Sequence, residues 1–230
     1  MKQKEYSNLI NMNEDKPVLA IETSGATCGV SLYFSDDKYF SSTINLKHSH
    51  SEKLFEIIRF LFSTANLDNN EISSIAVSGG PGSFTGLRIG MSAAKGIAYG
   101  AGVPIIIVPT FEALAYQLSF DLEEGFSFIT ANKVNKDEVY YAKFQIKSNS
   151  YIFVEELTIL TNIEFGKKIK GVRVFGNALD SGFNKLLCSP SPEFIAKWAL
   201  EFGKDKMIFD YNYLEPLYIK TFTVKERRKK

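Results

Sequence analysis

Apolar residues along the first sixty positions follow two different periods. Residues 18–21 form a short continuous apolar run, and residues 27–34 and 39–45 follow after turn residues, which predicts three strands in an antiparallel meander. The next apolar residues recur at i, i+3, i+4 and i+7, the spacing of one helical stripe, on a helix that begins near residues 49–52 with capping-box spacing. This stripe consists of Leu54, Ile57, Ile58 and Leu61.

The same helix also carries Phe55, Phe60 and Phe62 away from that stripe. It therefore has more apolar surface than one core needs. Two interpretations follow: the helix is deeply buried, or a second face of it docks on another protein.

The rest of the chain alternates strands with helices. Apolar runs at 75–77 and 104–108 predict strands, and each is followed by a helix, capped by Ser83 and by Thr110 respectively. A second set comprises strands at 127–130, 139–146, 151–158 and 172–175, a helix at 192–202 and a closing segment at 216–219. This order predicts an α/β protein with mixed sheets and covering helices. We expect a leader at 1–16, an N-terminal lobe at 17–115, a C-terminal lobe at 116–222 and a basic tail at 223–230.

A glycine-rich loop joins the strand at 75–77 to its helix. Glycines at such a junction allow close backbone approach, and the free amides of a helix start favour phosphate. The known phosphate templates do not fit, because the position five residues after Gly80 is Thr85, and this threonine also breaks the dinucleotide fingerprint. A ligand loop and a tight turn without a ligand both stay open. The residues for nucleotide contact would be Gly80, Gly82, Ser83 and Thr85.

Small residues continue into the helix after this loop. Gly86, Gly90 and Ala94 recur every four residues and give the helix a smooth side. A glycine inside a helix costs about 1 kcal/mol relative to alanine, so we expect close packing on this side to offset that cost. A neighbouring helix would provide this packing, which supports the interpretation that another protein docks here.

Composition narrows the class of protein. The 230 residues are 45% hydrophobic with a formal net charge of +1, and the last six residues carry five basic side chains and one acidic one. No apolar run reaches the length of a membrane span, no signal-peptide pattern stands at the N-terminus, and two cysteines give no disulfide framework. We expect a cytoplasmic protein that does not bind membranes and does not hold nucleic acid by itself.

Few residues are available for catalysis. The two histidines, His48 and His50, have no metal-ligand spacing, so no metal site is predicted. Glu22 ends the first strand, where a kinase-like ATPase would hold a carboxylate for magnesium-bound phosphates. The turn after Ile129 lacks the second acid that such a site needs, and Asp137 and Glu138 are expected to be solvated.

The motifs of this sequence resemble those of a known family, the TsaB (YeaZ) proteins of bacterial tRNA threonylcarbamoyladenosine (t6A) synthesis. The resemblance runs from Val18 to about Ile219, with two departures. Glu22 stands where the family usually has aspartate, and residues 133–137 replace the usual Asp-Ala-Arg. The matching motifs, in chain order, are Leu19-Ala20-Ile21-Glu22-Thr23-Ser24, His50-Ser51-Glu52, the block 80–96, Phe111-Glu112-Ala113-Leu114-Ala115, Glu138-Val139-Tyr140-Tyr141-Ala142 and Pro216-Leu217-Tyr218-Ile219.

The resemblance implies a two-lobed, actin-like ASKHA (ribonuclease H-like) fold without catalysis of its own. It implies a subunit that binds TsaD, the threonylcarbamoyl transferase, with the ATPase TsaE as a further partner and a homodimer when alone. The partner surface would lie on the helices at 52–61 and 85–96, through Leu54, Ile57, Ile58, Leu61, Gly86, Gly90 and Ala94. Adenine nucleotide would bind, if at all, at the boundary with TsaD near the glycine loop.

Two other functions stay open from the residues. An ASKHA-type ATPase or small-molecule kinase would use Glu22 and the glycine loop. A peptidase is the other alternative, because related proteins have been classed as glycoproteases. The absence of a metal-binding histidine pair speaks against it.

Overall fold

The first of two β-sheets contains the predicted meander. The computed structural model describes residues 16–45, 50–68, 70–179 and 187–217. The five strands of this sheet are β1 (Val18–Glu22), β2 (Cys28–Ser35), β3 (Lys38–Ile44), β4 (Ser74–Gly80) and β5 (Ile105–Pro109). They lie in the order β3-β2-β1-β4-β5. Antiparallel pairing of β1 with β2 and of β2 with β3 confirms the meander, while β4 is parallel to β1 and β5.

The second sheet is formed by the later strands of the chain. These are β6 (Ser127–Lys133), β7 (Glu138–Lys147), β8 (Ser150–Thr161) and β9 (Arg173–Phe175). Their order is β8-β7-β6-β9, with β6, β7 and β8 antiparallel and β9 parallel to β6. Both sheets are therefore mixed, as the alternation of strands and helices predicts.

Helices cover both faces of the first sheet. The α-helices of the described chain are α1 (His50–Ala65), α2 (Phe84–Ala101), α3 (Thr110–Leu118), α4 (Asn162–Lys168) and α5 (Pro192–Phe202). Of these, α4 packs on the second sheet. Leu19 and Ile21 of β1 pack in the cluster formed with α1 and α2, whereas Val18 and Ala20 pack on the opposite side with α5. Successive side chains of a strand point to opposite faces, and both faces of this sheet are covered by helices. All five residues of β1 are therefore buried.

Helix α3 connects the two sheets. Its Ala113 packs with Trp198 of α5 against the first sheet, while Phe111 and Leu114 pack against Phe128 of the second. The predicted boundary between residues 115 and 116 thus falls inside this helix. Helix α5, predicted within the lobe 116–222, packs on β1 and β2 of the first sheet instead.

One local prediction needs correction, and two local features were not predicted. The N-cap of α3 is Pro109, and the Thr110 hydroxyl instead accepts a hydrogen bond from the Gly80 amide. Helix α4 was not predicted, although its capping box of Thr161 and Glu164 is visible in the sequence. In the closing segment, the Leu217 amide donates a hydrogen bond to the Gly79 carbonyl at 2.8 Å.

Other predictions fall on parts of the chain outside the described residues. These are most of the leader, the basic tail, Ser49 of the capping box, His48, and Tyr218 and Ile219 of the closing motif. Within the described ranges, no helix combines the length and the apolar composition needed to cross a bilayer.

A short chain of hydrogen bonds ties α3, β8 and α5 together. The Trp198 Nε1 donates to the Tyr151 hydroxyl at 2.9 Å, and this hydroxyl donates to Glu112 Oε2 at 2.7 Å. Burial raises the pKa of Glu112, and its bond with Tyr151 opposes that rise. One hydroxyl therefore satisfies two polar groups at the junction of the two sheets.

We expect Tyr151→Phe to lower the free energy of unfolding by about 1–3 kcal/mol, because it leaves the Trp198 N–H and the Glu112 carboxyl without their partner. This change corresponds to a melting temperature roughly 2–10 °C lower in a chain of this size. Tyr213→Phe is the control, since Tyr213 is 88% exposed. Equal melting temperatures for the two variants in calorimetry would contradict the role of the Tyr151 hydroxyl.

Candidate functional site

The glycine-rich loop packs against the chain's own turn after β1. A Cβ at Gly82 would lie 2.5 Å from the Ser24 carbonyl oxygen, and the Ser83 amide donates to that oxygen at 2.7 Å. The Gly80 amide donates a hydrogen bond to the Thr110 hydroxyl, and Gly80 adopts a φ of +111° that favours glycine. The close backbone approach predicted for this loop is present, but the group approached is Ser24.

Ser83 and Thr85 are the exposed members of the predicted nucleotide-contact set, whereas Gly80 is buried and Gly82 half-buried. Ser83 is the N-cap of α2, as predicted, and its hydroxyl accepts from the Gly86 amide at 3.2 Å. Contact with a nucleotide stays a prediction for Ser83 and Thr85. The Gly80 amide already donates to the Thr110 hydroxyl, so it is not available to a nucleotide.

The smooth side of α2 also faces the turn after β1. A Cβ at Gly86 would lie 2.0 Å from the Thr23 carbonyl oxygen, and one at Gly90 would lie 2.3 Å from the Thr23 Oγ1. The Thr23 hydroxyl donates to the Gly86 carbonyl at 2.8 Å, and Ala94 is fully buried in the core. The prediction that Gly86, Gly90 and Ala94 contact a partner is therefore wrong, because the chain's own strand and turn occupy this side.

The apolar stripe of α1 is buried in the same way. Its residues are at most 5% exposed and pack in the core cluster over β1, β2 and β4. Their assignment as partner contacts is wrong, since they face the sheet. The residues concerned are Leu54, Ile57, Ile58 and Leu61.

An apolar surface nevertheless remains on the outer side of α1 and α2. Phe55 is 50% exposed and Tyr99 83%, and the Arg88 guanidinium lies 3.8 Å from the centroid of the Phe84 ring. We call this outer side the helix-pair surface and define it by Phe55, Phe84, Arg88 and Tyr99. The extra phenylalanines of α1 are visible in the sequence, but the partner contacts were predicted on its aliphatic stripe, which is buried.

Two shallow grooves run along the helix-pair surface. One, of about 500 Å³, is lined by residues that include Phe84, Thr85, Arg88 and Ser92. The other, of about 410 Å³, includes Arg59 and the Ile97 end of α2. Phe55 lines both grooves, so its ring is the central feature of this surface.

Glu22 lies behind the loop as a buried carboxyl group. Its Oε1 accepts hydrogen bonds from the Ser24 amide at 2.6 Å and from the Ser24 hydroxyl at 2.5 Å. Burial raises the pKa of Glu22 to about 7, although the hydrogen bonds from Ser24 and, more weakly, the nearby Ser78 hydroxyl and Gly25 amide favour the ionised form. Burial and the charge of Glu22 together raise the pKa of the neighbouring Cys28 to about 11.

In the second sheet, amide side chains bind the end of β6 and the turn that follows it. Asn132 is buried, and its Oδ1 accepts a hydrogen bond from the Asn177 amide at 2.9 Å. Asp137 is exposed, and Glu138 Oε2 accepts from the Asn135 side chain at 2.6 Å. Among the described residues, no three His, Cys, Asp or Glu side chains form a group that could hold a metal ion.

Comparisons with known proteins place this geometry in a family context. A family model described as "TsaD: tRNA N6-adenosine threonylcarbamoyltransferase" matches residues 43–164. The tRNA threonylcarbamoyladenosine biosynthesis protein TsaB of Haemophilus influenzae is 30% identical over 126 residues, 55% of this chain and 52% of that protein. The TsaB protein of Bacillus subtilis is 36% identical over 98 residues, 43% of each chain. The chain thus spans only about half the length of these relatives.

A solved structure supports the fold. YeaZ from Pseudomonas aeruginosa superposes with a TM-score of 0.71 at 21% identity, covering 88% of this chain and 99% of that one. The two-lobed, actin-like α/β fold implied by the sequence motifs is confirmed by this similarity.

Two glycines of α2 give a matched test of the packing against Thr23. We expect Gly90→Ala to destabilise the protein by roughly 2 kcal/mol, because its Cβ would overlap the buried Thr23 hydroxyl. Gly96→Ala is the control, since Gly96 has open space around it and alanine favours a helix by about 1 kcal/mol. Urea unfolding of both variants measures the difference. A Gly90→Ala variant as stable as the wild type would contradict the close contact.

Replacement of Glu22 by glutamine should change how stability depends on pH. The folded pKa of about 7 exceeds the ordinary value of 4.5, so the wild-type protein loses stability as the pH rises from about 4.5 through 7. Glutamine stays neutral, and we expect Glu22→Gln to gain roughly 3 kcal/mol relative to the wild type between pH 4.5 and pH 8. Urea unfolding at both pH values measures this gain, and parallel pH profiles would show that the carboxyl ionises freely.

Proposed function

The chain belongs to the TsaB/YeaZ family, and from this premise we propose that it is a non-catalytic subunit that binds TsaD in the complex making t6A in tRNA. The observation that carries the proposal is the helix-pair surface, where aromatic rings are exposed beside two grooves. Clustered exposed aromatic residues are typical of sites that bury themselves on a partner.

The internal contacts of the glycine loop support a non-catalytic role. In a phosphate-binding loop the backbone amides point at the ligand. Here the amides of Gly80 and Ser83 donate to Thr110 and to the Ser24 carbonyl. The carboxyl of Glu22 is likewise held by Ser24 in a buried position. The chain itself thus occupies the groups that an ATPase of this fold would present to its substrate.

The helix-pair surface would bind TsaD, and in its absence a second copy of the chain. Ser83 and Thr85 adjoin this surface at the start of α2, so an adenine nucleotide at the boundary with TsaD would meet them first. TsaE would join the assembled complex, and tRNA would be contacted through TsaD. The protein would act in the cytoplasm.

We expect Phe55→Glu to weaken binding to the cognate TsaD at least tenfold, because a carboxylate would replace the ring shared by both grooves and would be desolvated on docking. Isothermal titration calorimetry with purified TsaD measures the affinity. Ile163→Glu is the matched control, since Ile163 is 75% exposed on α4, beside the second sheet. Leu54→Glu is unsuitable, because it would place a charge in the core.

Wild-type affinity in the folded Phe55→Glu variant would reject the helix-pair surface as the TsaD contact. Light scattering of the same variants reports on self-association. If the homodimer uses the same surface, Phe55→Glu shifts it to monomer while Ile163→Glu does not. Magnesium-dependent ATP hydrolysis by the isolated chain would contradict the non-catalytic role.

A further inference from the structure

A cavity separate from the two grooves of the helix-pair surface lies beside Glu22. Its volume is about 420 Å³, within the range of small-molecule sites. Its walls come from the turn after β1, from the ends of β2 and β3, from Gln117 of α3 and from residues 187–192 before α5. We call this cavity the Glu22 cleft. The TsaD proposal does not use it.

Glu22, one of the residues that line this cleft, has an unsatisfied polar atom. Its Oε1 is saturated by the two bonds from Ser24, but Oε2 is buried and has no hydrogen-bond partner among the described residues. Buried polar atoms in native proteins are nearly always paired, and the exceptions point to a functional group or a ligand. The Oε2 atom therefore identifies where a ligand would be held.

The lining of the cleft decides which chemistry fits. Thr27, Thr43, Ser189 and Ser191 supply hydroxyl groups, and Leu187 with the nearby prolines supplies apolar surface. None of the described lining residues is Lys, Arg or His. Among the described residues of the lining, a phosphate or carboxylate would find the Glu22 carboxyl and no cation, whereas a protonated amine would gain a charge-assisted hydrogen bond.

We propose that the Glu22 cleft binds a small organic molecule that presents a protonated amine to Oε2 of Glu22. The amine supplies the missing partner of Oε2, and an apolar body of the ligand packs against Leu187 and the prolines. Such a ligand needs the ionised carboxylate. Because burial holds the pKa of Glu22 near 7, affinity should fall as the pH drops below that value.

Other titratable groups around the cleft do not replace Glu22 in this role. Cys28 stays a thiol because its pKa is raised to about 11. Cys188 donates a long hydrogen bond from its Sγ to the Gly176 carbonyl at 3.6 Å. Glu193 at the start of α5 accepts hydrogen bonds from the hydroxyls of Ser191 and Ser41. Of Glu22 and Glu193, only Glu22 has a carboxyl oxygen without a hydrogen-bond partner among the described residues.

The test compares three probes of similar shape on the full chain: 2-phenylethylamine, 2-phenylethanol and 3-phenylpropionate. Binding is measured at pH 8 from the shift of the Ser24 amide in ¹H–¹⁵N spectra. We expect the amine to bind at least tenfold more tightly than the alcohol or the acid. Its affinity should fall about tenfold between pH 6 and pH 5, where Glu22 is protonated.

Two variants separate the carboxyl from the space around it. Glu22→Gln keeps the shape and should weaken amine binding at least tenfold. Ser189→Leu narrows the cleft but keeps the carboxyl, and it should also lose the amine, so it decides the question if Glu22→Gln fails to fold. Equal amine affinity in the wild type and in either folded variant, or tighter binding of 3-phenylpropionate, would overturn the proposal. None of these measurements requires TsaD, so failure here leaves the proposed TsaD role untouched.

Discussion

The close contact between the turn after β1 and the glycine side of α2 is the constraint on which the rest of the structure depends. Thr23 and Ser24 occupy the space that side chains at Gly82, Gly86 and Gly90 would fill. The contact includes hydrogen bonds in both directions, from the Thr23 hydroxyl to the Gly86 carbonyl and from the Ser83 amide to the Ser24 carbonyl. It fixes the start of α2 against the central strand of the first sheet, and with it the direction in which the outer side of α2 faces.

This arrangement decides which residues are left for a partner. Because α2 turns its small residues inward and α1 turns its aliphatic stripe inward, the larger aromatic residues remain outside. Apolar residues on the outer side of a helix contribute little to the chain's own core, and for this reason we propose an interface there. Burial of the glycines and exposure of the phenylalanines are two consequences of the same packing.

Much of the fold could be predicted from the sequence because strands and helices leave distinct periods. The meander, the N-cap at Ser83 and helix α5 follow from local patterns that tertiary contacts do not change. The partner residues could not be predicted in the same way. A stripe such as Leu54 and Ile57 shows which residues share a face, but not whether that face meets the chain's own sheet. Likewise, the group that fills the side at Gly86 is Thr23, 63 residues away in sequence.

The turn after β1 also links the two surfaces for which we propose functions. On one side its Ser24 carbonyl holds the start of α2, where Phe84 and Arg88 enter the helix-pair surface. On the other side its Ser24 amide and hydroxyl hold Glu22 at the wall of the cleft. A neutral Glu22 is a weaker acceptor for Ser24 than a carboxylate, because charge-assisted hydrogen bonds are stronger. Ser24 therefore contacts both the buried carboxyl of Glu22 and the start of α2.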